Sequence, residues 1–269
     1  MKNQGTLILT GLGLNCEKET EYACLASGAK RVDLRHSLDL LRGQVSLKDY
    51  DFLIFIGGFL DGDYLGSARV GANRYKYGAN QFGEFKDQIS EFSASGRLIL
   101  GICNGFQLLV KLGLLPFEEL ANGGQSVSLA HNRSGIFEDR WVHIKINPKS
   151  KNIFCQGMDE VYLPVRHGEG RLVVKPEAEE RILACGLDVM AYADEQGKRT
   201  EHYPQNPNGS WAQCAGLGNQ GGNILGLMPH PEAYNHYTNH PHWTRLERPQ
   251  SVDGEGLRFF KNAYRHLQS

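Results

Sequence analysis

Short, nearly all-apolar runs recur along the first half of the chain, and between them apolar residues return every three or four positions. Thr6-Leu7-Ile8-Leu9, Phe52–Ile56 (FLIFI) and Leu98-Ile99-Leu100 are too short for helices, which predicts strands buried on both faces. Arg31–Leu34 is a weaker strand. Helices are predicted over Glu17–Ser27, closed by Gly28, over Leu38–Arg42, and over Gln81–Ser95, closed by Gly96. After Leu100, apolar positions at Phe106, Leu109 and Val110 keep helical spacing until Gly113 and Pro116 stop them. This alternation implies an α/β fold with a mostly parallel central sheet and helices on both faces. Ligands in such sheets bind beyond the carboxyl ends of the strands. Those ends are Gly11–Asn15, Gly57–Asp63 and Cys103–Gly105.

The second half is less regular. Ser126–Ala130, Trp141–Ile146, Val161–Val165, Leu172–Val174, Val189–Ala193, Ala212–Leu217 and Asn223–Leu227 read as strands, several with hairpin-like spacing. A helix over Gly256–Gln268 follows. Without repeats, low-complexity tracts or a linker, residues 1–269 are expected to form a single domain.

Composition narrows the function classes. The chain has 269 residues, with 29 Lys and Arg against 30 Asp and Glu. It has no dense basic run, which argues against nucleic acid or an anionic membrane surface as partner. No apolar stretch approaches a membrane span, and MKNQGTLILTG lacks a signal peptide's apolar core, so a cytoplasmic protein is expected. The 6 cysteines are scattered without C-x-x-C, which favours reduced thiols over a disulfide framework or a zinc site.

One cysteine stands out. Gly101-Ile102-Cys103-Asn104-Gly105 joins a predicted strand to a predicted helix and has the form of the G-x-S-x-G nucleophile elbow, with a thiol. The glycines relieve crowding where strand turns sharply into helix. The helix N-terminus favours an anion, hence a thiolate. A buried structural cysteine in the same turn is the alternative. A catalytic thiol also needs a base and a group to orient it. His230-Pro231-Glu232 follows the last apolar strand, and in extended chain His230 and Glu232 face one side. His230 would relay protons and Glu232 would fix its tautomer. A surface turn is the bland reading.

Competitors are weaker. His167 and Glu169 share the i, i+2 relation but sit among Gly168 and Gly170, as a loop bordering the site. Cys16 lacks the glycine two residues on. His236, His240 and His242 have no further ligands at zinc spacing, so no metal site is expected. Gly57-Gly58-Phe59 ends the FLIFI strand, where Gly58 could aim an N–H at an oxyanion alongside that of Asn104. Gln107, one turn after Cys103, could touch substrate or brace a loop.

Taken together, GICNGFQ, the GGF loop and MPHPE resemble the class I (triad) glutamine amidotransferases, whose fold is flavodoxin-like. GGFLDGDYLG (57–66), RSGIFEDRWV (133–142), LPVRHGEGR (163–171), YPQNPNGS (203–210) and GLMPHPEAY (226–234) resemble the glutaminase subunit of phosphoribosylformylglycinamidine synthase. The commoner loop reads GGFSYGDYLR, so Leu60-Asp61 depart from it. Residues 239–249 resemble an insertion of a longer variety of the subunit, a candidate for partner contact.

The resemblance implies glutamine hydrolysis through a Cys103 thioester, with His230 and Glu232 completing the triad and Gly58, Asn104 and Gln107 at the substrate. It implies a partner synthetase subunit, which would hold ATP and magnesium, and a small third subunit; this chain would carry no cofactor. Two rival readings stand beside it. One is a free-standing cysteine hydrolase of γ-glutamyl compounds, which would need no partner. The other is a binding subunit with misplaced triad residues, which would leave Cys103 unreactive.

Overall fold

The computed structural model describes residues 5–247 and 250–269. Residues 1–4, which begin the stretch discussed above as a non-signal N-terminus, and residues 248–249, within the inserted segment, lie outside the described residues.

In chain order the first half runs β1 (Gly5–Thr10), α1 (Glu17–Ala26), β2 (Arg31–His36), α2 (Ser37–Leu41), β3 (Phe52–Phe55) and α3 (Arg69–Tyr77). Then come β4 (Ala79–Asn80), β5 (Gly83–Glu84), α4 (Phe85–Ala94), β6 (Leu98–Ile102) and α5 (Asn104–Leu112). The second half contains β7 (Val127–Ala130), β8 (Glu138–Ile146), β9 (Glu160–His167), β10 (Arg171–Val174) and α6 (Pro176–Ala184). It ends with β11 (Met190–Ala193), β12 (Cys214–Gly218), β13 (Ile224–Leu227) and α7 (Leu257–Gln268).

Nine strands form one sheet in the order β2-β1-β3-β6-β13-β12-β11-β8-β9. From β2 to β13 neighbours run parallel. From β13 to β9 they run antiparallel. The central strands β3 and β6 are buried at every residue, as their unbroken apolar runs predict. The later strands therefore extend the same sheet rather than forming a separate layer. Among the described residues, β7 and β10 pair apart from it as a two-stranded ribbon, as do the two-residue strands β4 and β5.

Helices cover both faces. Phe52 packs its ring against Phe154 and Tyr264 of α7, whereas Phe55, three residues on and so on the opposite face, packs on Tyr75 of α3. The Tyr264 hydroxyl also hydrogen-bonds Thr6 Oγ1 at 2.7 Å, which ties the last helix to the first strand. No helix among the described residues is long and apolar enough to cross a membrane.

Three local expectations are corrected. The helix expected from Gln81 begins at Phe85, because Ala79–Asn80 and Gly83–Glu84 pair as a small hairpin. There the Asn80 side chain accepts the Phe82 N–H and holds the turn. Helix α3 was not anticipated: its buried face is Gly71, Ala72 and Tyr75, which carries little apolar signal. Helix α6 was also missed. It buries only Ala178 and Ile182, although Pro176 at its first turn and early Glu177 and Glu179 are start signals. The inserted segment covers part of the sheet: the His240 ring packs against Trp141, Tyr162 and Tyr234, with centroids 5.3 to 6.1 Å apart.

Candidate active site

Cys103 occupies the turn between β6 and α5 with φ 51° and ψ −102°, a left-handed conformation unusual for a residue with a side chain. Such strain costs about 1–3 kcal/mol and persists only where the surroundings enforce it. Here they do. The Cys103 N–H donates to Leu227 O at 2.8 Å, which fastens the elbow to β13. A Cβ on Gly105 would overlap the Phe55 carbonyl, and one on Gly101 would come within 2.6 Å of Leu109 Cδ1. Both glycines of the pattern are thus required by close packing. The thiol is 5% exposed, and its Sγ lies 3.5 Å from Arg166 O at the end of β9.

His230 arrives at the same place from the end of β13. Its N–H donates to Pro164 O at 2.8 Å, and Pro229 bridges Val165, so this segment is docked on β9. His230 Nδ1 and Glu232 Oε1 are 2.6 Å apart and both side chains are buried. The extended geometry expected for the pair is not what joins them. Pro231–Ala233 form a single 3-10 turn, and that turn folds Glu232 back onto the ring. Nε2 of His230 has no partner within the protein. Burial opposes a charge on this ring, but the Glu232 carboxylate and then the Cys103 sulfur outweigh it and raise the imidazole well above its ordinary 6.5. Cys103 and His230 are thus both anchored at the end of β9, the first at Arg166 O and the second at Pro164 O.

Cys16 is close by but differently placed. Its Sγ lies 4.0 Å from His230 Nδ1, the nitrogen engaged by Glu232, and burial pushes its thiol upward. Ligand atoms of Cys16, His230 and Glu232 all fall within 4.8 Å of one another. The 2.6 Å separation of Nδ1 and Oε1, however, is that of a shared proton, not of two ligands on one ion. Gly57 lets the ring in: a Cβ there would meet His230 Cε1 at 2.8 Å.

A cavity of about 190 Å³ opens at the sulfur, lined by Gly58, Asp63, Ser67, Gln107, His167 and Glu169 among others. Gly58, at φ 137°, bridges Leu14 of the preceding strand end, and a Cβ there would lie 2.6 Å from Gly13 O. Only glycine fits. Asn104 does not line the cavity with its side chain. Its Oδ1 accepts from Leu60 N at 3.2 Å, and its Nδ2 donates to Asp63 Oδ1 at 3.2 Å and Gln107 Oε1 at 2.9 Å. Gln107 lines the cavity and also braces its wall, donating to Glu169 O at 2.7 Å.

His167 and Glu169 do border the site, but not as a pair. Glu169 faces Ser67 N at 3.4 Å and His131 at 3.9 Å. His167 Nδ1 lies 3.0 Å from Asn132 Oδ1, which also accepts the Gly170 N–H, so Nδ1 must be the protonated nitrogen. Its Nε2 is then an acceptor, buried and without a partner. Burial, helped by His230, pushes this imidazole down to about 3, so it is neutral at ordinary pH. His236, His240 and His242 lie between β13 and α7, the last two within residues 239–249.

Sequence reasoning missed the frame behind the HGEGR loop. Asn208 Nδ2 donates to Gly170 O at 2.9 Å, Ser210 Oγ accepts from Leu172 N at 3.0 Å, and Arg133 N donates to Asn208 O at 3.0 Å. The NPNGS and RSGIF motifs thus hold the cavity wall. No local pattern announces such long-range contacts. Asp63 was also missed, although it sits in the Gly57–Asp63 strand end.

Comparison with known proteins accords with this arrangement. The model of the CobB/CobQ-like glutamine amidotransferase domain matches residues 4–267. "Phosphoribosylformylglycinamidine synthase subunit PurQ" of Dehalococcoides mccartyi is 41% identical over 98% of this chain and 97% of its own. The protein of the same name from Methanococcus maripaludis strain C7 is 36% identical over 97% of this chain and 96% of its own. Among solved structures, a chain of "PurLQS from Thermotoga maritima" superposes with a TM-score of 0.70 at 25% identity, over 98% of both chains. The chain belongs to the CobB/CobQ-like glutamine amidotransferases, in the branch formed by the PurQ subunits of phosphoribosylformylglycinamidine synthase.

Proposed function

We propose that this chain hydrolyses the side-chain amide of glutamine through Cys103 and supplies the ammonia to a synthetase subunit that makes formylglycinamidine ribonucleotide in purine biosynthesis. The observation that carries the chemistry is the buried His230–Glu232 contact of 2.6 Å beside a thiol held in a strained turn. The Cys103 thiolate attacks the carboxamide carbon. The N–H groups of Asn104 and Gly58 receive the oxyanion, and one such donor is worth about 3–4 kcal/mol. The His230 imidazolium protonates the departing ammonia and leaves a γ-glutamyl thioester. The same ring, now neutral, takes a proton from water as the thioester is hydrolysed to glutamate. Glu232 keeps Nδ1 protonated throughout.

ATP and magnesium belong to the synthetase in this reading, and a small third subunit completes the complex. Ammonia released into water would be protonated and lost as a nucleophile, so delivery within a complex suits the chemistry. The test is glutamate release by the assembled complex: the unmodified chain turns over, and Cys103→Ser does not. Equal turnover by Cys103→Ser would exclude the proposal.

A further inference from the structure

We propose that Asp63 and Glu169 together hold the α-ammonium group of the substrate, and so select glutamine over amides that lack a free α-amine. This rests on the glutaminase reading and extends it to recognition.

Both carboxylates line the cavity that opens at Cys103. Each is tethered to the first turn of α5. Asn104 Nδ2 reaches Asp63 Oδ1 at 3.2 Å, and Gln107 Nε2 holds the Glu169 carbonyl at 2.7 Å. Gln107 lies four residues, about one helical turn, from Cys103, about 6 Å along the axis. An extended glutamine spans a similar distance, about 5 Å by standard bond lengths, from its carboxamide carbon to its α-nitrogen. A substrate whose amide meets the sulfur would therefore bring its ammonium to this wall.

The wall is built for a donor. A carboxylate only accepts, at about four positions for its two oxygens. Glu169 receives one long bond from Ser67 N at 3.4 Å and lies 3.9 Å from the exposed His131. Asp63 accepts from Ala68 N and Asn104 through one oxygen, both at 3.2 Å, and Ser67 is a further donor to its carboxyl. Of the cations nearby, Lys111 has its Nζ committed to the Ser67 carbonyl, and Arg166, which also lines the cavity, lies 3.9 Å from Asp139. Burial and the neighbouring Glu169 both push the Asp63 carboxyl upward, against the hydrogen bonds from Ala68 and Asn104. A separate observation in the same cavity points to a donor-bearing ligand: His167 is 2% exposed, and its Nε2, an acceptor, is buried with no partner in the protein. Glutamine brings ammonium and carboxamide donors to such a surface.

The experiment compares glutamine with 5-amino-5-oxopentanoate, the same amide without the α-amine, and with N-acetylglutamine, in the complex with the synthetase. The unmodified complex should favour glutamine strongly. Asp63→Asn and Glu169→Gln should each raise KM for glutamine roughly 10–100-fold, the worth of a hydrogen bond to a charged group. Neither should lower kcat/KM for the des-amino amide by more than a few-fold, so the preference collapses. Variants that keep the original preference overturn the proposal. So does an unmodified complex that hydrolyses all three amides alike, a result that needs no variant. A complex that hydrolyses none of them overturns the glutaminase reading, and this inference with it.

Discussion

At the scale of single residues, the site depends on where one proton rests. Glu232 engages Nδ1 of His230, which in the proposed reaction leaves Nε2 free for Cys103 and the leaving group. Glu232→Gln should preserve the fold and lower kcat/KM by roughly 10²–10⁴-fold, as loss of the orienting carboxylate does in comparable triads; steady-state glutamate release measures it. The Cys103 sulfur is one reason the His230 imidazole sits above 6.5. In Cys103→Ser the ring should therefore titrate at lower pH than in the native chain, read from the imidazole NMR shift. A raised folded value also has a sign for stability: the contribution is complete below the ordinary 6.5 and is lost as pH rises through the elevated value. Much of this was legible in the sequence. The glycines flanking Cys103 and the His-Pro-Glu triplet are local features with local physical reasons. The neutral His167 was not legible, because its tautomer is fixed by Asn132, 35 residues away.

At the scale of elements, the elbow is a packing problem as much as a chemical one. The first turn of α5 lies so close to β3 that Gly105 touches the Phe55 carbonyl. Gly105→Ala should destabilise the chain by about 3 kcal/mol, seen as a lower urea midpoint with unchanged slope, because the obstruction is backbone and cannot rotate away. Strands β3 and β6 were readable because sheet burial on both faces leaves no polar position in them. Helix α3 was not, because apart from Tyr75, which packs on Phe55 and Phe85, its buried face is the small Gly71 and Ala72. Residues 239–249 read in the sequence only as an insertion and a candidate for partner contact, and His240 there covers aromatic residues of β8, β9 and the turn after β13.

At the scale of the whole molecule, the sheet divides the work. Its parallel half presents Cys103 and the Gly58 loop at the strand ends. The antiparallel half brings β9 and the HGEGR loop across to close the cavity. The alternation of strand and helix identified the first half; the pairing order of the second depends on contacts no short window contains. Because the ammonia must reach a synthetase, glutaminase turnover should be low for the chain alone and should rise when synthetase and nucleotide substrate are added, measured as glutamate per unit time. The account's central claim is that Cys103 is the nucleophile toward glutamine. Mass-spectrometric mapping after treatment with a glutamine-analogue electrophile, with and without the synthetase, tests it most directly. The modification should fall on Cys103, be blocked by glutamine and disappear in Cys103→Ser; stoichiometric labelling of Cys16, or of no cysteine, would contradict the account.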